Sequence, residues 1–313
     1  MNESITYGGP LRFAHRGLAQ IAPENTLGAF QGAIDSGCEG IEIDIQLSRD
    51  GEVIVAHDGN FTRMTLGHPT GASNRRIQDM TWEEIRKMEL PYANHLLSRE
   101  LPRHSDIEFM ATLPYLVMGQ VEDSDYETAL ARDGRMAHLM RFSDFDEWLT
   151  TQHSDVIVEI EIKAPGLSKP MLDLLSKSPN MQNYILFSGK PAYIEEMQST
   201  FRREGKPAGL RLGANIRFLT EEMKQKIPEM DLYEVGLNAE AFTKADVQWL
   251  ADRGIHVLSN LGDYPRWWET MITLDILGFK TNYAEAFTKW WSENHGINVK
   301  PPLSLKAESD KVK

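Results

Sequence analysis

Two β-rich runs, IEIDIQL (41–47) and EVIVAH (52–57), stand only four residues apart, across Ser48–Gly51, and this spacing constrains the fold more than any other feature of the chain. A crossover between parallel strands takes a dozen residues or more. The second run must therefore fold back on the first as an antiparallel hairpin, and Asp50-Gly51 is a favoured two-residue turn for it. With those two residues as the turn, Arg49 pairs with Glu52, and counting back sets Asp44 opposite His57. Directly opposed residues have Cβ atoms about 4.5–5.5 Å apart. Glu42 and Asp44 are two apart on one strand, so they share its face.

The remaining strand-like runs are LRFAH (11–15), EGIEIDI (39–45), VIVEIEIK (156–163), YILFS (184–188), GLRLG (209–213), LYEVGL (232–237), IHVLS (255–259) and ILGFKT (276–281). Amphipathic patterns such as NTLGAFQGAIDSG and TKADVQWLADRG lie between most of them. Alternating strands and helices argue for a parallel sheet. The expected fold is a (β/α)8 TIM barrel with a β-hairpin after strand 2 and an insertion before strand 3, at about 59–141. Within the insertion, TWEEIRKMEL reads as a helix with a capping box at Thr81 and Glu84, and SDFDEWL as a second helix. Residues 92–141, rich in Met, His and acidic side chains, show no periodicity and are expected to pack over the barrel mouth. The chain of 313 residues, 41% hydrophobic, fits a single barrel domain over 1–300 with a frayed tail at 301–313.

A net charge of -13 opposes binding to nucleic acid or an anionic membrane. A metal ion or a few basic residues can still reverse the field locally for a phosphate. The lone cysteine, Cys38, excludes an intrachain disulfide, and the first residues carry neither a basic nor an apolar leader segment. No apolar run approaches the ~20 residues of a membrane helix. A cytoplasmic protein without a membrane anchor is expected, acting on a small molecule, with no oligomeric state fixed by sequence.

The active site of such a barrel lies at the C-terminal ends of its strands. His15 and Arg16 end the first strand, Glu42 and Asp44 lie near the end of the second, His57 ends the returning hairpin arm, and Glu161 and Lys163 end the 156–163 strand. Ser188 and Thr281 also end strands, and Asn260 follows one. Three inward carboxylates, Glu42, Asp44 and Glu161, would repel one another and raise their pKa values. A single hard divalent cation, Mg²⁺ or Ca²⁺, resolves this with oxygen ligands, and the absence of cysteine from the cluster disfavours structural zinc. Arg16 and Lys163 suit phosphoryl oxygens, and His15 and His57 suit an acid and a base on opposite sides of a phosphorus. Taken singly, each feature has a plainer reading: a loop histidine, a solvated E-x-D pair, an ordinary ion pair. Their conjunction at the strand ends favours a site. Glu159 shares a face with Glu161 and competes as a ligand, but Glu161 lies nearer the strand end. Cys38 reads as core. Trp267, Trp268, Trp290 and Trp291 read as helix packing, with a sugar or choline site as the alternative. His104 and His138 read as surface residues.

These residues stand in text that resembles the glycerophosphodiester phosphodiesterase family: A-H-R-G (14–17), P-E-N-T (23–26), I-E-I-D (41–44), D-G-E-V-I-V-A-H-D (50–58), T-R-M-T (62–65) and E-I-K (161–163). The resemblance implies a barrel of the phospholipase-C-like phosphodiesterase type. It implies a divalent metal at Glu42, Asp44 and Glu161, catalytic His15 and His57, and phosphate contacts from Arg16 and Lys163. The second half departs from the family. A Trp-Thr-x-Asn-like segment is replaced within HVLSNLGDY, a Thr-Asp strand end is Thr281-Asn282, and a Ser-Phe pair is Ser188-Gly189. Divergent relatives include sphingomyelinase-D-like toxins and enzymes of sugar-phosphodiester opines (agrocinopines), so an opine synthase or phosphotransferase is the alternative to a hydrolase. A catalytically inactive binding barrel is the second alternative.

Overall fold

The computed structural model describes residues 10–65, 74–92, 134–153 and 155–295. Its strands are β1 (Leu11–His15), β2 (Gly40–Leu47), β3 (Val53–Val55), β4 (Glu89–Pro91), β5 (Met136–His138), β6 (Ile157–Ile162), β7 (Tyr184–Ser188), β8 (Arg211–Arg217), β9 (Glu234–Asn238), β10 (His256–Asn260) and β11 (Gly278–Thr281). Eight of them pair in parallel in the cyclic order β1-β2-β6-β7-β8-β9-β10-β11, and β11 pairs back to β1 to close the barrel. This is the (β/α)8 barrel expected from the alternation.

The pleat of β2 and β6 shows why the barrel forms. Ile41, Ile43 and Ile45, with Val158, Ile160 and Ile162, are buried in one apolar cluster with the helices, including Phe30 of Leu27–Asp35 and Phe145 and Leu149 of Phe142–Gln152. The alternate positions, Glu42, Asp44, Glu159 and Glu161, take the opposite face, which a closed barrel turns inward. A smaller cluster of Leu11, Phe13, Ile157, Ile185 and Leu258 belongs to the N-terminal ends of the strands. The capping boxes expected at Thr81 and present at Thr243 start their helices. Among the described residues no helix is long and apolar enough to cross a membrane.

The hairpin forms, but one residue out of the expected register. Ile45, Gln46 and Leu47 face Val55, Ile54 and Val53, so the backbone of Asp44 meets Ala56 (N–H···O 2.9 Å), not His57. The loop holds three residues, Arg49, Asp50 and Gly51. Ser48 N donates to Glu52 O at 3.0 Å, and Gly51 takes φ +86°. Three-residue hairpins place such a left-handed residue third, and Asp-Gly serves this turn as readily as the two-residue one. The Ser48 hydroxyl favours it further, accepting from Glu52 N at 2.9 Å and donating to Asp50 Oδ1 at 2.7 Å.

Ile45 pairs with both Val55 and Ile162, so β3 and β6 occupy opposite edges of β2. β3 takes the edge that β1, paired only as far as Glu42, has left. The hairpin therefore rises above the end of β1, where His15 stands. Behind it, Ile54, Ala56, Phe61, Ile77, Met80, Ile85, Leu90 and Ala137 form a satellite core. The helix expected over TWEEIRKMEL spans only Trp82–Ile85; Glu89 and Leu90 fall instead in β4, whose short antiparallel pair with β5 belongs to this core. Most of the 92–141 stretch expected over the mouth, His104 included, lies outside the described residues, as does the tail. His138 is exposed.

Candidate active site

β2 and β6 run in register, with Asp44 beside Glu161 and Glu42 beside Glu159. Glu42, Asp44 and Glu161 present ligand oxygens within 4.8 Å of one another. Glu159 is not part of this group. Its carboxylate meets Lys280 Nζ at 2.7 Å in the buried barrel interior and shares a hydrogen bond with Glu234.

The trio is unevenly neutralised. Asp44 lies 3.1 Å from Arg16 Nε and 3.2 Å from Lys163 Nζ, and both cations, with burial opposing them, hold its carboxyl far below the usual range. Among the described residues Glu42 accepts one hydrogen bond, from the backbone N–H of Arg16 at 3.1 Å. Burial, with Asp44 adding to it, pushes the Glu42 carboxyl well above its ordinary value. Glu161 pairs with Lys163 Nζ at 2.8 Å.

Arg16 has φ +60°, which lets its N–H point at Glu42 while its side chain turns to Asp44 and, at 2.9 Å, to Glu24. Its guanidinium is thus already engaged by two carboxylates. Asn25, at φ +56°, donates to Asp44 Oδ2 at 2.9 Å and accepts from Asp44 N at 3.2 Å. Arg63 extends the network, meeting Asp58 at 2.6 Å and Glu24 at 2.5 Å.

The two histidines are anchored differently. His57 Nδ1 meets the carboxylate of Asp58 at 2.6 Å, while Gln46 holds its backbone carbonyl at 2.7 Å. Ala56 N donates to Asp44 O at 2.9 Å, so the register shift leaves His57, the next residue, beside the cluster. His15 Nδ1 meets the neutral amide of Asn282 at 2.9 Å, and Asn282 Nδ2 donates to buried Asp263 at 2.9 Å. His15 Nε2 lies 4.0 Å from Glu42. Burial, reinforced by Arg16, lowers the His15 pKa to about 3, so its ring is neutral at ordinary pH.

All seven residues singled out in the sequence thus gather at one end of the barrel. The supporting residues Glu24, Asn25, Asp58, Arg63, Asp263 and Asn282 were not singled out as site residues. Most stand inside or beside segments quoted for the family resemblance, which was the only available signal. The tryptophans are packing residues. Trp267 and Trp268 are buried and bond Ser259 and the Gly262 carbonyl, and Trp290 and Trp291 stack with Trp268 and Phe287. Cys38 is buried in the core, and burial pushes its thiol up to about 12.

The model of the glycerophosphoryl diester phosphodiesterase family matches residues 15–182, a little over half of the 313 residues. Glycerophosphodiester phosphodiesterase 1 of Rattus norvegicus is 42% identical over 89 residues, 28% of this chain and 25% of that protein. A glycerophosphodiester phosphodiesterase of Caldanaerobacter subterraneus is 42% identical over 79 residues, 25% of this chain and 30% of its own length. The matches therefore span under a third of these curated relatives. Among solved structures, a putative glycerophosphodiester phosphodiesterase from Galdieria sulphuraria superposes with a TM-score of 0.66 at 14% identity, covering 90% of this chain and 98% of that one. An Oleispira antarctica phosphodiesterase in complex with the product sn-glycerol-3-phosphate gives 0.64 at 16% identity, covering 90% and 96%. At such identities these structures speak for the fold alone.

Proposed function

The chain belongs to the glycerophosphoryl diester phosphodiesterase family, and on that premise we propose that it is a metal-dependent phosphodiesterase cleaving a glycerophosphodiester-like or sugar phosphodiester. The observation that carries the reading is the carboxylate trio Glu42, Asp44 and Glu161 at the same barrel end as two histidines, each fixed through Nδ1.

The trio fits a hard divalent cation such as Mg²⁺ or Ca²⁺. Its donors are all carboxylate oxygens. Asp44 Oδ1 is buried without a hydrogen bond, since Lys163, although 3.2 Å away, is not aligned to donate to it. A cation held there would supply charge to stabilise the non-bridging phosphoryl oxygens. Lys163 adds positive charge to the same oxygens, as does Arg16 from its place on Asp44 and Glu24.

The histidines divide the proton work according to their anchors. His15, backed by an amide and held neutral, has a lone pair on Nε2 to take a proton from the attacking hydroxyl or to attack phosphorus itself. His57, fixed through Nδ1 by the Asp58 carboxylate, delivers a proton to the leaving alkoxide.

The test is a panel of glycerophosphodiesters and sugar phosphodiesters, assayed with and without EDTA. We expect turnover that EDTA abolishes and Mg²⁺ or Ca²⁺ restores. His15→Ala and His57→Ala should each lose at least ~10²-fold, the usual scale of acid–base catalysis. Near-normal rates in either variant, or a rate indifferent to EDTA, would overturn the assignment.

A further inference from the structure

Arg16 and His57 reach the mouth of the barrel by separate routes. Arg16 follows the last residue of β1, whereas His57 stands two residues past the end of β3 on the hairpin arm. β1 pairs with β2 as far as Glu42, and β3 pairs with β2 from Ile45 onward. The two segments share an edge of β2 without a strand pairing between them. Their spacing must therefore be set by side chains.

Arg63 supplies the link. It lies on a single turn in which Thr65 N donates to Phe61 O at 3.0 Å, and Phe61 and Met64 anchor that turn in the satellite core. The Arg63 side chain points the other way. Its Nε donates to Asp58 Oδ2 at 2.6 Å, and its two terminal nitrogens donate to the two oxygens of Glu24 at 2.8 and 2.5 Å. Each carboxylate is also bonded to a residue of the proposed machinery. Asp58 Oδ1 meets His57 Nδ1 at 2.6 Å, and Glu24 Oε1 accepts from Arg16 Nη1 at 2.9 Å.

An unbroken series thus runs from His57 through Asp58, Arg63 and Glu24 to Arg16. All three guanidinium nitrogens of Arg63 are engaged by carboxylates, so it acts through its neighbours. The planar fork is what permits this, because it holds two carboxylates at fixed angles where an ammonium would hold a point. The side chain is 15% exposed, so these charge-assisted bonds are little screened by water.

We propose that Arg63 is a positioning residue, which sets His57 at a fixed spacing from Arg16 so that the leaving oxygen is met by its proton donor while the phosphoryl group is held. The inference rests on the reading of His57 as the acid of a phosphodiesterase. A misplacement of about 1 Å in such a group can cost on the order of 10²-fold.

The experiment compares two diesters that share one phosphoryl half, one with an alkyl and one with a p-nitrophenyl leaving group, assayed with Mg²⁺ or Ca²⁺. An alkoxide needs a proton to leave, and p-nitrophenolate does not. His57→Ala should therefore lose far more kcat/KM on the alkyl diester. Arg63→Met should show the same bias, with a loss at least ~10-fold greater on the alkyl diester than on the aryl one. Glu24→Gln, which is two links from His57, should share it, and the double variant should lose no more than the larger single loss. A merely structural role lowers both rates by one factor and leaves their ratio alone. Where Arg63→Met does not fold, Arg63→Lys carries the same test, since it keeps the charge and loses the fork. An unchanged ratio in the Arg63 variant or in Glu24→Gln, with the bias present in His57→Ala, overturns the inference and leaves the phosphodiesterase reading intact. An unbiased His57→Ala overturns the acid assignment, and the inference with it.

Discussion

His15 Nδ1 lies 2.9 Å from Asn282 Oδ1, and the amide cannot turn its nitrogen there instead. Asp263 fixes it. This carboxylate accepts from Asn282 Nδ2 at 2.9 Å, from Asn282 N at 3.2 Å and from the Thr281 hydroxyl at 2.5 Å. The oxygen of Asn282 is left for the ring, so His15 carries its hydrogen on Nδ1 and keeps Nε2 bare toward Glu42. A carboxylate two bonds away thus sets the tautomer of the proposed base.

That arrangement predicts a split between binding and chemistry. Asn282→Leu should lower kcat at least ~10-fold with KM near the wild-type value, because the ring loses its orientation and not the substrate its contacts. Asn282→Asp should move the acid limb of the pH–rate profile upward, since a carboxylate at Nδ1 favours the charged ring. Burial raises the Asp263 pKa to about 6. Its folded pKa exceeds the unfolded one, so its own contribution to stability is fully present below about pH 4 and is lost as pH rises through 6. The acid-side stability of Asp263→Asn, compared with the wild type by thermal melts, should lose that component. An unchanged kcat in Asn282→Leu would remove the relay from the mechanism.

The crowded trio predicts how metal and pH combine. In the metal-free protein the Glu42 carboxyl binds its proton well above 4.5, while the unfolded chain has already released it. Stability from Glu42 therefore declines as pH rises above 4.5 through the raised value. A cation displaces that proton and reverses the effect, so the gain in Tm on adding Mg²⁺ or Ca²⁺ should grow with pH. At a hundredfold excess over Kd the gain corresponds to about 2.7 kcal/mol. Glu42→Gln should flatten the pH dependence. A Tm indifferent to both cations would argue that the trio is an ordinary buried cluster.

The hairpin register rests on one backbone position. A Cβ at Gly51 meets nothing within 4 Å, yet its φ of +86° is costly for any other residue. Gly51→Val should lower stability by about 1–2 kcal/mol, the penalty for a left-handed residue. It should leave kcat unchanged, because His57 is held by Gln46 and Asp58 and not by the loop. A large loss of activity at unchanged Tm would contradict this register.

Much of the barrel was legible because its signal is local. Alternating Ile and Glu on 41–45 and 157–162 states at once which face meets the helices and which lines the interior. The choice of Glu161 over Glu159 followed from its place nearer the strand end; what the sequence withheld is that Lys280 occupies Glu159, while Glu161 groups with Glu42 and Asp44. The hairpin was legible as a hairpin, but not in register, since Asp-Gly suits loops of two and of three residues alike. The wrong register set His57 on the face of Asp44, whereas the chain brings it there from beyond the end of β3.

The sequence by itself determined the alternation of strands and helices, the inward carboxylates and the hairpin that carries His57 toward them, because period-two patterning and loop length act between near neighbours in the chain. Only the tertiary structure decided which groups support them. Asn282 reaches His15 across 267 residues, and Asn260 reaches Asn215 across 45. Those contacts exist because the barrel closes β11 onto β1 and ranks β8, β9 and β10 opposite the carboxylates. Alternation predicts the closed barrel, but which strand-end side chains meet across it depends on the register of the whole sheet, which no local pattern of residues records.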